Sequence, residues 1–146
     1  HIGSYGVIGL ILYFALLYTL LSSLPLALAG SAILAGDPFS KGVAGMTINR
    51  LPYARKEEEA KNKTVYSRMT TSQYTFCLFS ALIPMFWLPE PVYYLAGLLP
   101  ILVFCSLTYL MKKKIQGYTG DCCGATFLLC ELSFYLGIAL IYTTLI

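Results

Sequence analysis

The chain has 146 residues, 58% hydrophobic and 12% charged, with a formal net charge of +3 and a mean hydropathy of +0.70. Soluble domains carry about a quarter charged residues, so a soluble globule, a disordered tail and a nucleic-acid module all fit poorly. A hydrocarbon core about 30 Å thick takes roughly 20 apolar residues per helix, which bounds the chain at four or five spans of a polytopic, all-α transmembrane bundle in one unit, residues 1–146.

The chain opens on His1, and Ile2 to Gly6 carries no signal-peptide pattern; it reads as a segment of something longer. Val7 to Leu24 is a first apolar run, ended by Pro25. Leu26 to Ile48 is a second stretch, rich in Ala and Gly and expected to be interrupted around Asp37 to Lys41. Gln73 to Leu88 is a third span, the Leu88–Pro91 segment a tight turn, Val92 to Met111 a fourth span and Thr126 to Ile146 a fifth. No internal repeat or low-complexity tract is present.

Two polar connections, Asn49 to Ser72 and Lys112 to Gly124, hold nine of the ten Lys and Arg residues. Two spans separate them, so both fall on one side of the membrane, and the positive-inside rule puts that side in the cytoplasm. The Leu88–Pro91 turn has no cation and falls opposite.

Several residues in this pattern carry chemistry. Asp37 and Lys41 are four apart and share a helix face, where they can pair. Ionisable groups at membrane depth are expensive and point to function; the alternative is a headgroup-level segment from which Lys41 snorkels. Lys114 to Asp121 leads into the last helix. Gly117 and Gly120 permit close backbone approach, and Thr119 or Asp121 can cap the helix. With Lys114 nearby, the free N–H groups there make an anion site, or Asp121 holds Mg²⁺ that bridges phosphate oxygens; an ordinary capped loop is the competing reading. Glu131 lies ten residues after Asp121, about 15 Å along the axis, so the two cannot easily share one metal. A carboxylate in that apolar helix needs a partner, expected on another helix, with Lys41 one candidate. Arg50 and Arg55 flank Leu51-Pro52-Tyr53-Ala54 and are candidates for an anionic ligand, whereas Arg55 to Lys63 as a run reads as a solvated segment. The five cysteines, Cys77, Cys105, Cys122, Cys123 and Cys130, lack zinc-ligand spacing, and the one histidine is His1; packing is the expected role.

These blocks resemble a family. His1-Ile2-Gly3-Ser4-Tyr5-Gly6-Val7, Pro52-Tyr53-Ala54-Arg55, and Lys114 to Asp121 followed by Gly124-Ala125 and Glu131 are similar, in that order, to three blocks of the cobalamin synthases, the adenosylcobinamide-GDP ribazoletransferases. The T-G-D-x-x-G-A block is the most specific. Gln116 departs from the family's paired glycines, Lys41 stands where an Arg is usual, and Asp37-Pro38 is not typical.

The resemblance implies a bacterial inner-membrane transferase that joins α-ribazole, or its 5′-phosphate, to adenosylcobinamide-GDP and releases GMP in cobalamin biosynthesis. It implies Mg²⁺, held mainly by an acidic block upstream of His1, so that this C-terminal portion alone is expected to be inactive. It assigns Asp121 to metal or substrate-hydroxyl contact and Lys41, Arg50, Arg55 and Lys114 to substrate phosphate. Gly117, Thr119 and Gly120 would shape the backbone near the nucleotide, and Glu131 would be a polar support. A homo-oligomer is left open. The rival readings are a CDP-alcohol-phosphotransferase-like enzyme, whose carboxylate array the chain lacks, and a small transporter, which would place its polar groups at mid-bilayer.

Overall fold

The computed structural model describes residues 3–54 and 68–145, and all its regular elements are helical. Helix α1 runs Ser4–Ser22, α2 Leu26–Gly45, the short α3 Thr47–Arg50, α4 Thr71–Leu82, α5 Leu98–Ile115 and α6 Gly120–Leu145. Two 3-10 segments, Ile83–Trp87 and Pro91–Gly97, join α4 to α5.

Two of these helices are long and apolar enough to cross a membrane, Pro91–Ile115 and Gly120–Leu145. A third, Gly6–Ser22, is apolar but shorter. Five spans are therefore more than helix length and composition support among the described residues. The third expected span gives way to 3-10 structure after Leu82, where Pro84 follows two residues on and cannot donate to the helix ladder. The last helix begins at Gly120, six residues before the apolar run, because Thr119 caps it.

The expected interruption of α2 is absent: the helix continues through Pro38. A proline inside a helix costs about 3 kcal/mol. Packing offsets it here, since Ala35, Gly36, Phe39 and Ser40, on both sides of Pro38, are buried.

The core lies between α2 and α6. Cys130, Phe134, Tyr135 and Ile138 of α6 are almost wholly buried, as are Ala32 and Ala35 of α2. Small residues bring the backbones together, the usual device where lipid removes the hydrophobic drive for helix association. A Cβ on Gly36 would come within 2.7 Å of the Phe134 ring, and one on Gly137 within 2.9 Å of Ala96. Gly42 makes the equivalent approach between α2 and α4, against Ala81. Large apolar side chains face outward, among them Leu26, Phe76, Phe86 and Trp87, as a lipid-solvated surface requires.

Helices α2 and α6 run antiparallel: Gly36 meets Phe134, Lys41 meets Phe127, and Leu51 packs with Tyr118. One end of the bundle gathers Pro52 to Ala54 and Gly117 to Tyr118. The other gathers Pro25, Trp87, Pro89 and Tyr142 around a broad hollow.

Replacing Gly137 by Leu is expected to cost at least about 1–3 kcal/mol by overpacking against Ala96, read as a lower midpoint of thermal unfolding in detergent. Gly30→Leu, where a Cβ meets open space, should leave the midpoint nearly unchanged.

Candidate functional site

The polar end is built on a short backbone pairing. The Tyr118 N–H donates to the Pro52 carbonyl and the Ala54 N–H to the Tyr118 carbonyl, each at 2.9 Å. This is an isolated parallel bridge between Tyr53 and Tyr118, and the two rings meet edge to face at 5.4 Å. Two blocks singled out in the sequence, more than sixty residues apart, are thereby in direct contact. Beneath them Leu51, Met111 and Tyr118 form a small buried cluster.

Gly117 makes this contact feasible. A Cβ there would stand 2.5 Å from the Pro52 carbonyl oxygen and 3.0 Å from the Ala54 Cβ. Its hydrogen side thus faces the Pro52–Ala54 segment. Gly120 has open space around it. Gln116 takes the left-handed conformation, φ 54°, at the end of α5. That conformation favours glycine, which explains why a glycine suits this position better.

Thr119 caps α6: its Oγ1 accepts from the Cys122 N–H at 3.3 Å, and its carbonyl accepts from the Cys123 N–H at 3.1 Å. Asp121, exposed in the first turn of α6, has no ion pair among the described residues. A carboxylate there is favoured by the helix dipole. Lys112, Lys113 and Lys114 occupy the last turn of α5, the complementary placement for cations. Arg50 ends α3, and its guanidinium stacks over Phe104 of α5 at 5.3 Å. Arg55 lies outside the described residues. Asn49 brackets Met69, its Oδ1 accepting from the Met69 N–H at 2.8 Å and its Nδ2 donating to the Met69 carbonyl at 3.3 Å.

Deeper in the bundle is a second polar group. Lys41 pairs with Asp37 at 2.8 Å, half in the open, and its ammonium lies 5.4 Å from the Phe127 ring. Lys41 is therefore not the partner of Glu131. The Glu131 carboxylate accepts two phenolic hydrogen bonds, from Tyr13 of α1 and Tyr135 of its own helix, both 2.8 Å. Asp37 is within electrostatic range of both phenols. Tyr135 was legible as a residue four after Glu131 on the same face. Tyr13 was not, because nothing local relates α1 to α6.

No three His, Cys, Asp or Glu side chains among the described residues are grouped to hold a metal ion. The cysteines are free thiols, with Cys130 buried and its Sγ 3.4 Å from the Pro100 carbonyl.

The family model described as cobalamin-5-phosphate synthase matches residues 1–139. The chain belongs to this family. Among curated relatives, the adenosylcobinamide-GDP ribazoletransferase of Shewanella woodyi is 33% identical over 141 residues, covering 93% of this chain and 54% of the relative. The protein of the same name from a Polaromonas species is 33% identical over 122 residues, 75% of this chain and 40% of the relative. That from Shewanella putrefaciens is 33% identical over 143 residues, 93% and 53%. The chain spans about half the length of the curated relatives it matches. No solved structure matches it.

Gln116→Gly is expected to stabilise the protein by about 1 kcal/mol through relief of the left-handed strain, while Gly117→Ala lowers stability by separating the two paired segments. Tyr13→Phe leaves one Glu131 oxygen without its donor and should cost about 1–3 kcal/mol. Thermal unfolding of the three variants in one detergent checks all of these.

Proposed function

We propose that this protein is an adenosylcobinamide-GDP ribazoletransferase, joining α-ribazole or its 5′-phosphate to adenosylcobinamide-GDP with release of GMP. The observation that supports this reading is the pairing of Pro52–Ala54 with Gly117–Tyr118, which brings the Arg50 segment to the start of α6 in a chain of this family. An attacking ribazole oxygen forms the new bond to the cobinamide phosphorus. The bond from that phosphorus to the bridging pyrophosphate oxygen breaks, and GMP carries the electron pair away. Such a displacement asks the protein mainly to position groups and to neutralise charge.

In this reading the exposed N–H groups at the start of α6, Lys114 and Arg50 meet substrate phosphate. Lys41, with one carboxylate already beside it, is the weaker of the cationic candidates, and Arg55 is proposed from its place in the motif. Thr119 keeps its capping role, and Gly120 leaves the backbone open to the nucleotide. Gly117 acts at one remove, by letting the two segments close. Asp121 is the proposed contact for the ribazole hydroxyl or for Mg²⁺. As a carboxylate with no ion pair among the described residues, it fits a cation that takes one or two carboxylates and completes its shell with phosphate and water. Bound Mg²⁺ would supply charge neutralisation at the phosphates. Glu131 has each carboxylate oxygen on a tyrosine phenol and is proposed as a support inside the bundle.

The reading places the protein in a bacterial inner membrane with the paired segments and the lysine triplet in the cytoplasm, the side favoured for cationic connections.

In the intact protein, Asp121→Asn is expected to lower GMP release by about 100-fold, the scale on which one electrostatic group acts in such sites, with unfolding unchanged. Unaltered turnover would remove Asp121 from the reaction.

A further inference from the structure

Between α2, α4 and α5 lies a cleft of about 370 Å³, separate from the start of α6. Val43 and Met46, Leu78 and Leu82, and Ile101 and Cys105 supply its apolar walls. It opens laterally, since Leu82 and Ile101 are 40% and 44% exposed and Cys105 is exposed. In a membrane protein that opening faces the acyl region.

One end of the cleft is cationic. Arg50 lines it, and the guanidinium is held over Phe104, eight residues before Lys112. Eight residues are about 12 Å along a helix. The charge therefore lies well below the lysine triplet, where an ionisable group is costly without a partner. Arg50 makes no ion pair among the described residues. Tyr74 also lines the cleft, and its phenol has no hydrogen-bond partner among the described residues. A second, shallower hollow of about 210 Å³ adjoins Arg50, with Asn49, Thr71 and Tyr74 in its wall.

A free anion would satisfy Arg50 and leave the apolar walls uncovered. A purely apolar guest would do the reverse. A glycerophospholipid does both. Its phosphate matches a guanidinium fork, and basic pockets between membrane helices take anionic headgroups. From Tyr74 to Leu82 the wall runs about 12 Å, room for part of one acyl chain. The order along the cleft also matches a leaflet, with Arg50 toward the end that carries the lysine triplet and Leu82 toward the interior.

We infer that this cleft binds one anionic glycerophospholipid, with the headgroup phosphate on Arg50 and Tyr74 and one acyl chain between α4 and α5. The inference does not rest on the transferase reading, although Arg50 enters both: lipid binding is read with no substrate present, and GMP release is read separately.

The test is native mass spectrometry of the intact protein in detergent, titrated with phosphatidylglycerol. One adduct is expected to form first and to persist against excess phosphatidylcholine. Arg50→Gln should weaken it about tenfold or more, the loss of a charge-assisted contact. Leu78→Trp and Cys105→Trp fill the cleft from opposite walls without touching the charge, and should weaken it comparably. If one of them fails to fold, the other carries the result. Replacing Lys112, Lys113 and Lys114 by Gln should leave the adduct intact. Undiminished binding after the cleft is filled, or after Arg50→Gln, would overturn the inference. Displacement of the lipid by inorganic phosphate alone would also overturn it, by making the site one for free anions.

Discussion

The seam between α2 and α6 governs everything else in the bundle. Lipid offers no hydrophobic reward for bringing two apolar helices together, so association rests on close packing and internal hydrogen bonds. Here the packing comes from shape: a glycine on α2 receives two aromatic rings of α6, and a glycine on α6 receives the segment that begins the α5 strut. With that seam closed, the ends of α2 and α6 are brought level, and the segments that follow α2 and precede α6 meet. The backbone pairing at Tyr118 is thus a consequence of helix packing as much as of its own two hydrogen bonds.

Polar groups in this chain are few, and the structure uses them in two ways. Some inside the bundle are satisfied by neighbours, Glu131 by two phenols and Thr126 by the Cys122 carbonyl, while the buried hydroxyls of Ser40, Thr47 and Thr108 have no hydrogen-bond partner among the described residues. Those at the start of α6 and the end of α5 are left facing outward, with Asp121 and Lys114 exposed. A site that handles a charged phosphate ester needs the second kind, while stability in a membrane needs the first. Glu131, with its carboxylate on the phenols of Tyr13 and Tyr135, ties α1 to α6.

Much of this was legible in the residues. Composition alone excluded a soluble domain, and the expectation that Asn49–Ser72 and Lys112–Gly124 share one side is consistent with the contact of Pro52–Ala54 with Gly117–Tyr118. The i,i+4 pairing of Asp37 and Lys41 followed from helix periodicity. What stayed hidden was of two kinds. Tyr13 meeting Glu131 depends on how α1 is rotated against α6, which no local spacing encodes. The persistence of α2 through Pro38 depends on burial of the flanking residues, which outweighs the local cost of the proline. The T-G-D block was readable as a helix start, but the closeness of Gly117 to the Pro52 carbonyl was not, since the sequence allowed either a positive φ or a close approach and the structure uses the approach.

The phenol of Tyr13 acts as a rotational pin. Helix α1 presents apolar side chains outward on most of its circumference, so packing alone distinguishes one rotation of it from the next only weakly. A single directional bond to a carboxylate does distinguish them, because turning the helix by one residue swings each side chain by about 100° and carries the phenol away. The pin sits nine residues, about 14 Å, from the start of α1, yet a rotation angle is shared by the whole length of a rigid helix. The orientation of the whole of α1, from Ser4 to Ser22, is therefore set in the middle of the bundle, by one hydrogen bond to α6.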